Sequence, residues 1–327
     1  MSVKLRPPPP DLVARADCTQ TRLSTSTSFL SATELQQGVQ QPYVLYCARL
    51  DRDGYVFAGS DDSVRLFAPD LSGSARLRST QRGVSNVVAG SNANGGNVVF
   101  VTAKDGTVVG WDMRDTSKEA IRLKNKTGAG YLTASQSSDG ACLAAGAELH
   151  NYEATIDFWD LRTTKIAHTY TEAHSDDITC VQFNPSANLS HVLLSASVDG
   201  LLNTYDVRIT DEDDAVLSTS QVGSSLVRDF DDVRDVALEP WRTDYLIGAH
   251  WNAHLGGVCI AAGTQAGDVA IMNLCDPEKW IMERVLPSTA SGLSLAHSDI
   301  VRCIEIDNAS GRVVTGGEDG KVCLWSV

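Results

Sequence analysis

The stretch HSDDITCVQFNPSANLSHVLLSASVDGLLNTYDVR, residues 174–208, decides the fold. Its apolar residues fall in short runs at 178–183, 192–194 and 201–205, separated by turn formers, a pattern of short strands and not of helices. Asp199-Gly200 sits between the last two runs, where a tight hairpin needs a residue tolerant of positive φ. His174 and Asp199 are 25 positions apart, so they meet only if the strands fold back on one another. A histidine ahead of the first strand, a hydroxyl in the second (Ser195), an aspartate in the turn and an aromatic in the third (Tyr205) can then form one buried hydrogen-bonded chain.

Working outward, the same arrangement returns at residues 297–327, HSDIVRCIEIDNASGRVVTGGEDGKVCLWSV, with His297, Thr315, Asp319 and Trp325 in the four roles. Cys180 and Cys303 also fall at matching places. Less complete copies end near Asp70, Arg114, Arg162 and Leu274. The third-strand aromatic, or its equivalent, is Phe67, Trp111, Trp159, Tyr205, Asn273 and Trp325, at intervals of 44, 48, 46, 68 and 52 residues. Four of these five lie near the period of about 40 to 45 residues that marks a propeller blade with loop insertions.

Asp199-Gly200 followed by Tyr205-Asp206, Asp105-Gly106 followed by Trp111-Asp112, Trp159-Asp160, and Asp319-Gly320 followed by Trp325 make the chain resemble the WD-repeat family. Ala173-His174 and Ala296-His297 stand where that family usually has Gly-His. The resemblance covers the chain from about residue 43 onward and implies an all-β WD40 β-propeller of the cytoplasm, the nucleus or both. Three stretches, EAHSDDITCVQFNPS (172–186), DYLIGAHW (244–251) and GTQAGDVAIMNL (263–274), resemble one narrower group within the family whose propeller has seven blades. Here only six third-strand signatures can be counted. The long interval from Tyr205 to Asn273 contains SSLVRDFDDVRDVALEP (224–240), with no two consecutive inner strands, no turn Asp-Gly and no aromatic-acidic ending. The resemblance therefore implies a seven-bladed fold from which most of the fifth blade is missing near 223–227. The alternative is a six-bladed ring.

A radial array makes 327 residues a single body, and we expect residues 18–327 to form one propeller preceded by a proline-containing tail at 1–17. Pro7 to Pro10 cannot supply the amides that a central strand requires. The last repeat stops after its third strand. The chain's beginning is the simplest source of a fourth, which places the closing strand within 19–30 and brings the termini together. With 27 Lys plus Arg against 41 Asp plus Glu, the formal charge is -14, which argues against direct binding of nucleic acid. No apolar run reaches the roughly 18 residues of a membrane helix. The eight cysteines are scattered singly, which suits reduced thiols.

No phosphate loop, nucleophile elbow or HExxH is present, and the expectation is a non-enzymatic protein with no cofactor and no metal. His174, Ser195 and Asp199 carry the letters of a catalytic triad, but His297, Thr315 and Asp319 repeat them, and a duplicated set between strands reads as an internal fastener. His250 and His254 lack a Cys, Asp or Glu to complete a zinc set. Function then falls to surfaces that bind one or more proteins, on a chain expected to be monomeric alone. Three repeats end alike: Trp111-Asp112-Met113-Arg114, Trp159-Asp160-Leu161-Arg162 and Tyr205-Asp206-Val207-Arg208. Residues 193–208 resemble the docking box by which some propellers serve as cullin-4 ubiquitin ligase substrate receptors. That resemblance implies that Arg208 offers a donor fork to the ligase adaptor, with Asp206, Arg114 and Arg162 as further candidate contacts. The second-blade copy departs from the box at Val101, and the third is broken by an insertion at 147–153. The alternative is a local salt bridge tying third strand to fourth. The four acids at 211–214 read as a solvated loop.

Overall fold

The structure, a computed structural model, describes residues 28–34, 45–50, 56–60, 63–67, 74–77, 83–90, 98–199, 201–221, 246–252, 257–263, 269–276, 279–286, 297–298, 301–307, 312–317 and 319–326. Its strands begin with β1 (Ser28–Glu34) and then run in groups of four. The first group is β2 (Leu45–Leu50), β3 (Val56–Ser60), β4 (Ser63–Phe67) and β5 (Ser74–Leu77), and the second is β6 (Val84–Ala89), β7 (Val98–Ala103), β8 (Thr107–Asp112) and β9 (Ile121–Lys124). The third is β10 (Tyr131–Gln136), β11 (Cys142–Ala147), β12 (Ala154–Asp160) and β13 (Lys165–His174). The fourth is β14 (Ile178–Phe183), β15 (Val192–Ser197), β16 (Leu201–Asp206) and β17 (Val216–Gln221), with a single helical turn, α1 (Glu212–Ala215), before the last strand. Then follow β18 (Leu246–Asn252), β19 (Gly257–Gly263), β20 (Val269–Asp276) and β21 (Lys279–Leu286), and finally β22 (Val301–Asp307), β23 (Arg312–Gly317) and β24 (Lys321–Ser326).

Each group is one antiparallel meander, so the described strands make six four-stranded sheets, the last completed by β1. First strands of successive sheets touch in the order β2, β6, β10, β14, β18, β22 and back to β2, the radial arrangement of a β-propeller. Residues 224–240, where the expectation of a missing fifth blade rests, lie outside the described residues, as do the 1–17 tail, Gly200 and His254. The N-terminal strand differs from its expected position. It spans Ser28–Glu34, overlapping the 19–30 window only at its start, and pairs antiparallel with β24 from Ser28 opposite Ser326 to Glu34 opposite Lys321.

Burial explains why the strands read as continuous apolar runs. The second and third strands of a blade are covered on both faces by neighbouring sheets, and β11, β12 and β15 are buried along almost their whole length. One core joins blades one and two through Val64, Leu77, Val84, Val99, Val101 and Trp111. The next joins blades two and three through Phe100, Val108, Leu123, Tyr131, Leu143 and Trp159. A third joins blades three and four through Ile156, Phe158, Tyr170, Ile178, Leu193 and Tyr205. Each is a sheet-on-sheet interface, so a blade is stabilised by its neighbours as much as by its own hydrogen bonds.

The free edges of the first strands are closed by side chains. Thr133 and Ser135 on β10 accept the backbone N–H groups of Val181 (3.2 Å) and Phe183 (3.0 Å) on β14. Thr133 also accepts the side-chain amide of Asn86 on β6 at 3.3 Å. A hydroxyl thus takes the place that a neighbouring strand would occupy in an open sheet, and the blades are stitched without fusing into one sheet.

Candidate functional site

The two repeated His-hydroxyl-Asp sets assemble as hydrogen-bonded chains. In the last blade Asp319 accepts from His297 Nδ1 at 3.1 Å, His297 Nε2 lies 2.8 Å from Thr315 Oγ1, and the Trp325 indole N–H donates to the same Oγ1 at 3.0 Å. One assignment satisfies every atom: Trp325 donates to Thr315, Thr315 donates to Nε2, and Nδ1–H donates to the carboxylate. His297, Thr315 and Trp325 are all buried. Asp319 also accepts the backbone N–H groups of Ser298 (2.8 Å) and Lys321 (3.1 Å). Burial on its own would raise the Asp319 pKa, but the hydrogen bond from His297 and the two amides outweigh it and hold the carboxyl below its ordinary value.

Blade four builds the same core with a different end. His174 Nδ1 is 3.0 Å from Asp199 and His174 Nε2 is 2.7 Å from Ser195 Oγ. Asp199 is again held below the ordinary carboxylate value, His174 and the amides of Ser175 and Leu201 overcoming the effect of burial. Tyr205 has the Ser195 hydroxyl among its hydrogen-bond partners and bonds beyond it as well. Its O–H donates to the carbonyl of Ala173 at 3.0 Å while Asn203 Nδ2 donates to it at 3.1 Å. A phenol carries its polar atom farther from the backbone than an indole, so it reaches past Ser195 to the loop that precedes the blade.

Register makes the other blades comparable. Thr315 and Ser195 sit two residues beyond the partner of the third-strand aromatic, and the equivalent residues are Val101 in blade two and Ala145 in blade three. In blade two the loss leaves the buried Trp111 indole N–H without a partner among the described residues. Blade three has recovered differently. Trp159 Nε1 donates to Tyr131 Oη at 3.2 Å, the Tyr131 O–H donates to the buried carboxylate of Asp157, and Thr169 donates to Asp157 at 2.6 Å. Burial, reinforced by Asp157, pushes the Tyr131 phenol far up, so it remains a donor. Sequence reasoning missed this set because it looked for a histidine. The available signal was an aspartate inside an apolar third strand, ATIDFWD, where a charge needs partners.

The hairpin turns also differ from the expected two-residue form. Ala103 C=O accepts from Gly106 N–H, and Gly317 C=O from Gly320 N–H, both at 3.1 Å, so each turn has three residues and ends on a glycine at positive φ (74° and 72°). Gly317 is required for another reason. A Cβ there would lie 2.6 Å from His297 Nδ1 and 2.7 Å from Asp319 Oδ1, inside the fastener.

At the opposite end of the sheets the three arginines stand alike. Arg114 meets Asp112 at 2.6 Å, Arg162 meets Asp160 at 3.1 Å and Arg208 meets Asp206 at 2.6 Å, while the arginine side chains stay 70, 79 and 65% exposed. The ion pairs do not tie third strand to fourth. Each spans two residues within the turn, and the same aspartate accepts the arginine's own backbone N–H. The Arg114 side-chain bond, aided by its amide, brings Asp112 down to about 2, and Arg162 and Arg208 lower Asp160 and Asp206 in the same way. Each carboxylate fixes one edge of a guanidinium and leaves the remainder to solvent.

The acid run at 211–214 is not simply a solvated loop. Glu212, in α1, accepts the backbone N–H groups of Thr171 (2.8 Å) and Glu172 (3.1 Å) on β13, and Tyr170 donates to Ile209 C=O at 2.6 Å. The connection leading to β17 therefore clasps the outer strand of the preceding blade. His250 lies in β18, and among the described residues no group of three or more His, Cys, Asp or Glu could hold a metal ion. Burial pushes the Cys142 and Cys323 thiols up to about 12, away from reactive thiolate.

A family model described as WD domain, G-beta repeat matches residues 164–206 and 291–326, the two stretches that hold the His-hydroxyl-Asp fasteners. These two stretches are similar to WD repeats, and the described sheets form a β-propeller. Relatives of the chain include an uncharacterized WD repeat-containing protein of Saccharomyces cerevisiae, 24% identical over 323 residues, covering 86% of this chain and 78% of that one. WD repeat-containing protein GTS1 of Arabidopsis thaliana is 25% identical over 326 residues (85% and 79%). The WD repeat-containing protein 89 homolog of Dictyostelium discoideum is 21% identical over 265 residues (70% and 68%).

Proposed function

We propose that this WD-repeat-like β-propeller is a non-enzymatic protein-interaction scaffold of the cytoplasm, the nucleus or both. WD-repeat proteins generally act as such scaffolds. The observation that carries the reading is the arginine series. Three successive blades hold an exposed guanidinium on the aspartate two residues earlier at one end of the ring, Arg114 and Arg208 through two nitrogens and Arg162 through Nε, a set of donors suited to carboxylates on a partner. Meanwhile the groups that might suggest acyl transfer, His174 with Ser195 and His297 with Thr315, are buried and spent on one another. The test replaces Arg114, Arg162 and Arg208 together with alanine. Proximity labelling of partners in cells, followed by reconstitution with purified candidates, should give complexes that the triple variant weakens while its thermal unfolding is unchanged. Partners bound equally well by the triple variant would remove the arginine end as the binding surface.

Arg208 favours a narrower second reading, substrate receptor for a cullin-4 ligase, because its fork is fixed by two bonds to Asp206 (2.8 and 2.6 Å) and points outward. Purified adaptor should bind the wild-type chain directly, and Arg208→Ala should weaken that binding about tenfold or more. No binding at micromolar concentration by a folded sample would eliminate this role.

A further inference from the structure

Blade three carries a projecting hairpin unlike those of its neighbours. The insertion seen in the sequence at 147–153 is a lengthened hairpin that closes with its own two-residue turn at Asn151 and Tyr152 (φ 52° and 69°), where His150 and Glu153 exchange backbone hydrogen bonds of 2.9 and 3.0 Å. Tyr152 is 96% exposed at the tip, and Leu149 is exposed below it. The base of the hairpin is held on both sides. Glu148 accepts Gly130 N–H at 2.8 Å from the loop before the blade, and Asp177 accepts Leu149 N–H at 2.7 Å from the loop after it. An aromatic ring is thus held out to solvent on a braced support, so little conformational freedom remains to be lost when something covers it.

The surroundings select the chemistry of the occupant. Between residues 127 and 207 the Lys and Arg residues are Arg162 and Lys165, and Lys165 pairs with Asp160 at the far end of β12 and β13, while on the side of blade two the backbone of Lys104 lies against Gly130 at the base of the hairpin. The end that carries Tyr152 also carries Glu153, next to it in the chain, and Asp177, which bonds the base of the hairpin and is followed back along the chain by Asp176. We propose that the Tyr152 tip with Glu153, Asp176 and Asp177 docks a lysine- or arginine-bearing segment of a partner protein, the cation lying on the tyrosine ring and the carboxylates neutralising its charge. This deepens the scaffold reading and rests on it, at the opposite end of the ring from the arginine series.

The probe is a fluorescent hexapeptide of alternating arginine and glycine, with the matching uncharged serine-glycine peptide as control, titrated into the full chain by anisotropy. Tyr152→Ala should weaken the arginine peptide about fivefold while Tyr152→Phe, which keeps the ring, binds like wild type. Asp177→Asn retains the acceptor for Leu149 but removes the charge, and should weaken binding about twofold and flatten its salt dependence. Equal affinity of wild type and Tyr152→Ala, or equal affinity for the uncharged peptide, would overturn the proposal. Arg114, Arg162 and Arg208 take no part in this assay, so its failure would leave the arginine surface standing. Loss of partner capture in the arginine variant would likewise leave the Tyr152 surface standing.

Discussion

Thr315→Val keeps the shape of a fully buried side chain and deletes one hydroxyl. That oxygen serves two buried nitrogens, Trp325 Nε1 at 3.0 Å and His297 Nε2 at 2.8 Å. Each group left without a partner costs about 1 to 3 kcal/mol, and no cavity adds to it, so the pair should lose about 3 kcal/mol. With a urea dependence of about 3 kcal/mol per M, suitable for a chain larger than a small domain, the midpoint of unfolding should fall by about 1 M. The Trp325 indole proton offers a local readout in parallel, since it should exchange with deuterated solvent much faster in the variant. Serine at 315 preserves the acceptor, as Ser195 does beside His174, and should recover most of the loss. A midpoint within about 0.2 M of wild type, with the indole still protected, would refute the idea that the hydroxyl joins the chain from Trp325 to Asp319.

Val101→Thr is the converse experiment. It offers the unpartnered Trp111 N–H an acceptor and should stabilise by up to about 1 kcal/mol in the same urea assay, the gain being limited by the cost of burying the new hydroxyl. Gly317→Ala should separate His297 from Asp319 and lower stability by about 2 kcal/mol or more, and unchanged unfolding would contradict the close approach of 2.6 Å. Asp319→Asn should destabilise at neutral pH. Because the native Asp319 pKa lies below 3.8, its contribution is complete above that value and disappears as the pH falls through the lower native one, so wild type and variant should converge in acid. Glu212 has the opposite sign. Burial, with Glu172 and Asp213 nearby, raises it above 4.5, so its contribution is largest below 4.5 and declines as pH rises through the native value, and Glu212→Gln should flatten that decline while its amide oxygen keeps the Thr171 and Glu172 bonds.

The sequence made the blades legible because it repeats itself. Runs such as TVVGWD and VLLSAS are buried on both faces, so nearly every position is apolar and strand boundaries fall where turn residues begin. The His174 and His297 sets were readable for the same reason, since two copies of four residue types at matching offsets point to a shared task. Three features were hidden because each depends on where a side chain reaches, and not on what it is. Tyr205 reaches beyond Ser195 to bond Ala173. Each repeat-ending arginine turns back on the aspartate two residues earlier. Glu212 leaves an acidic run to bond the edge of another blade. Spacing in the chain cannot report the four-residue extension of the closing strand beyond its expected window either, because the register of β1 is set by β24 across the ring closure.

The variation among blades separates what the ring needs from what it tolerates. Each described blade with a tryptophan or tyrosine at the end of the third strand must solve the same problem, a polar atom on a ring buried between two sheets. The last blade uses Thr315, blade four uses the Ala173 carbonyl, blade three imports Tyr131 and Asp157, and blade two leaves Trp111 unsatisfied. All four rings are buried, and those of blades two, three and four sit in cores shared between blades, so burial of the aromatic sets the architecture and the hydrogen-bonded chain adds stability locally. That ordering bears on function. Loops beside an over-determined fastener can change without loss of the blade, and the Tyr152 hairpin occupies the corner of blade three where the histidine-based fastener is replaced by one lying deeper in the sheet, between Tyr131, Asp157 and Thr169. Its second-to-third strand turn holds no histidine and presents an exposed aromatic ring in its place.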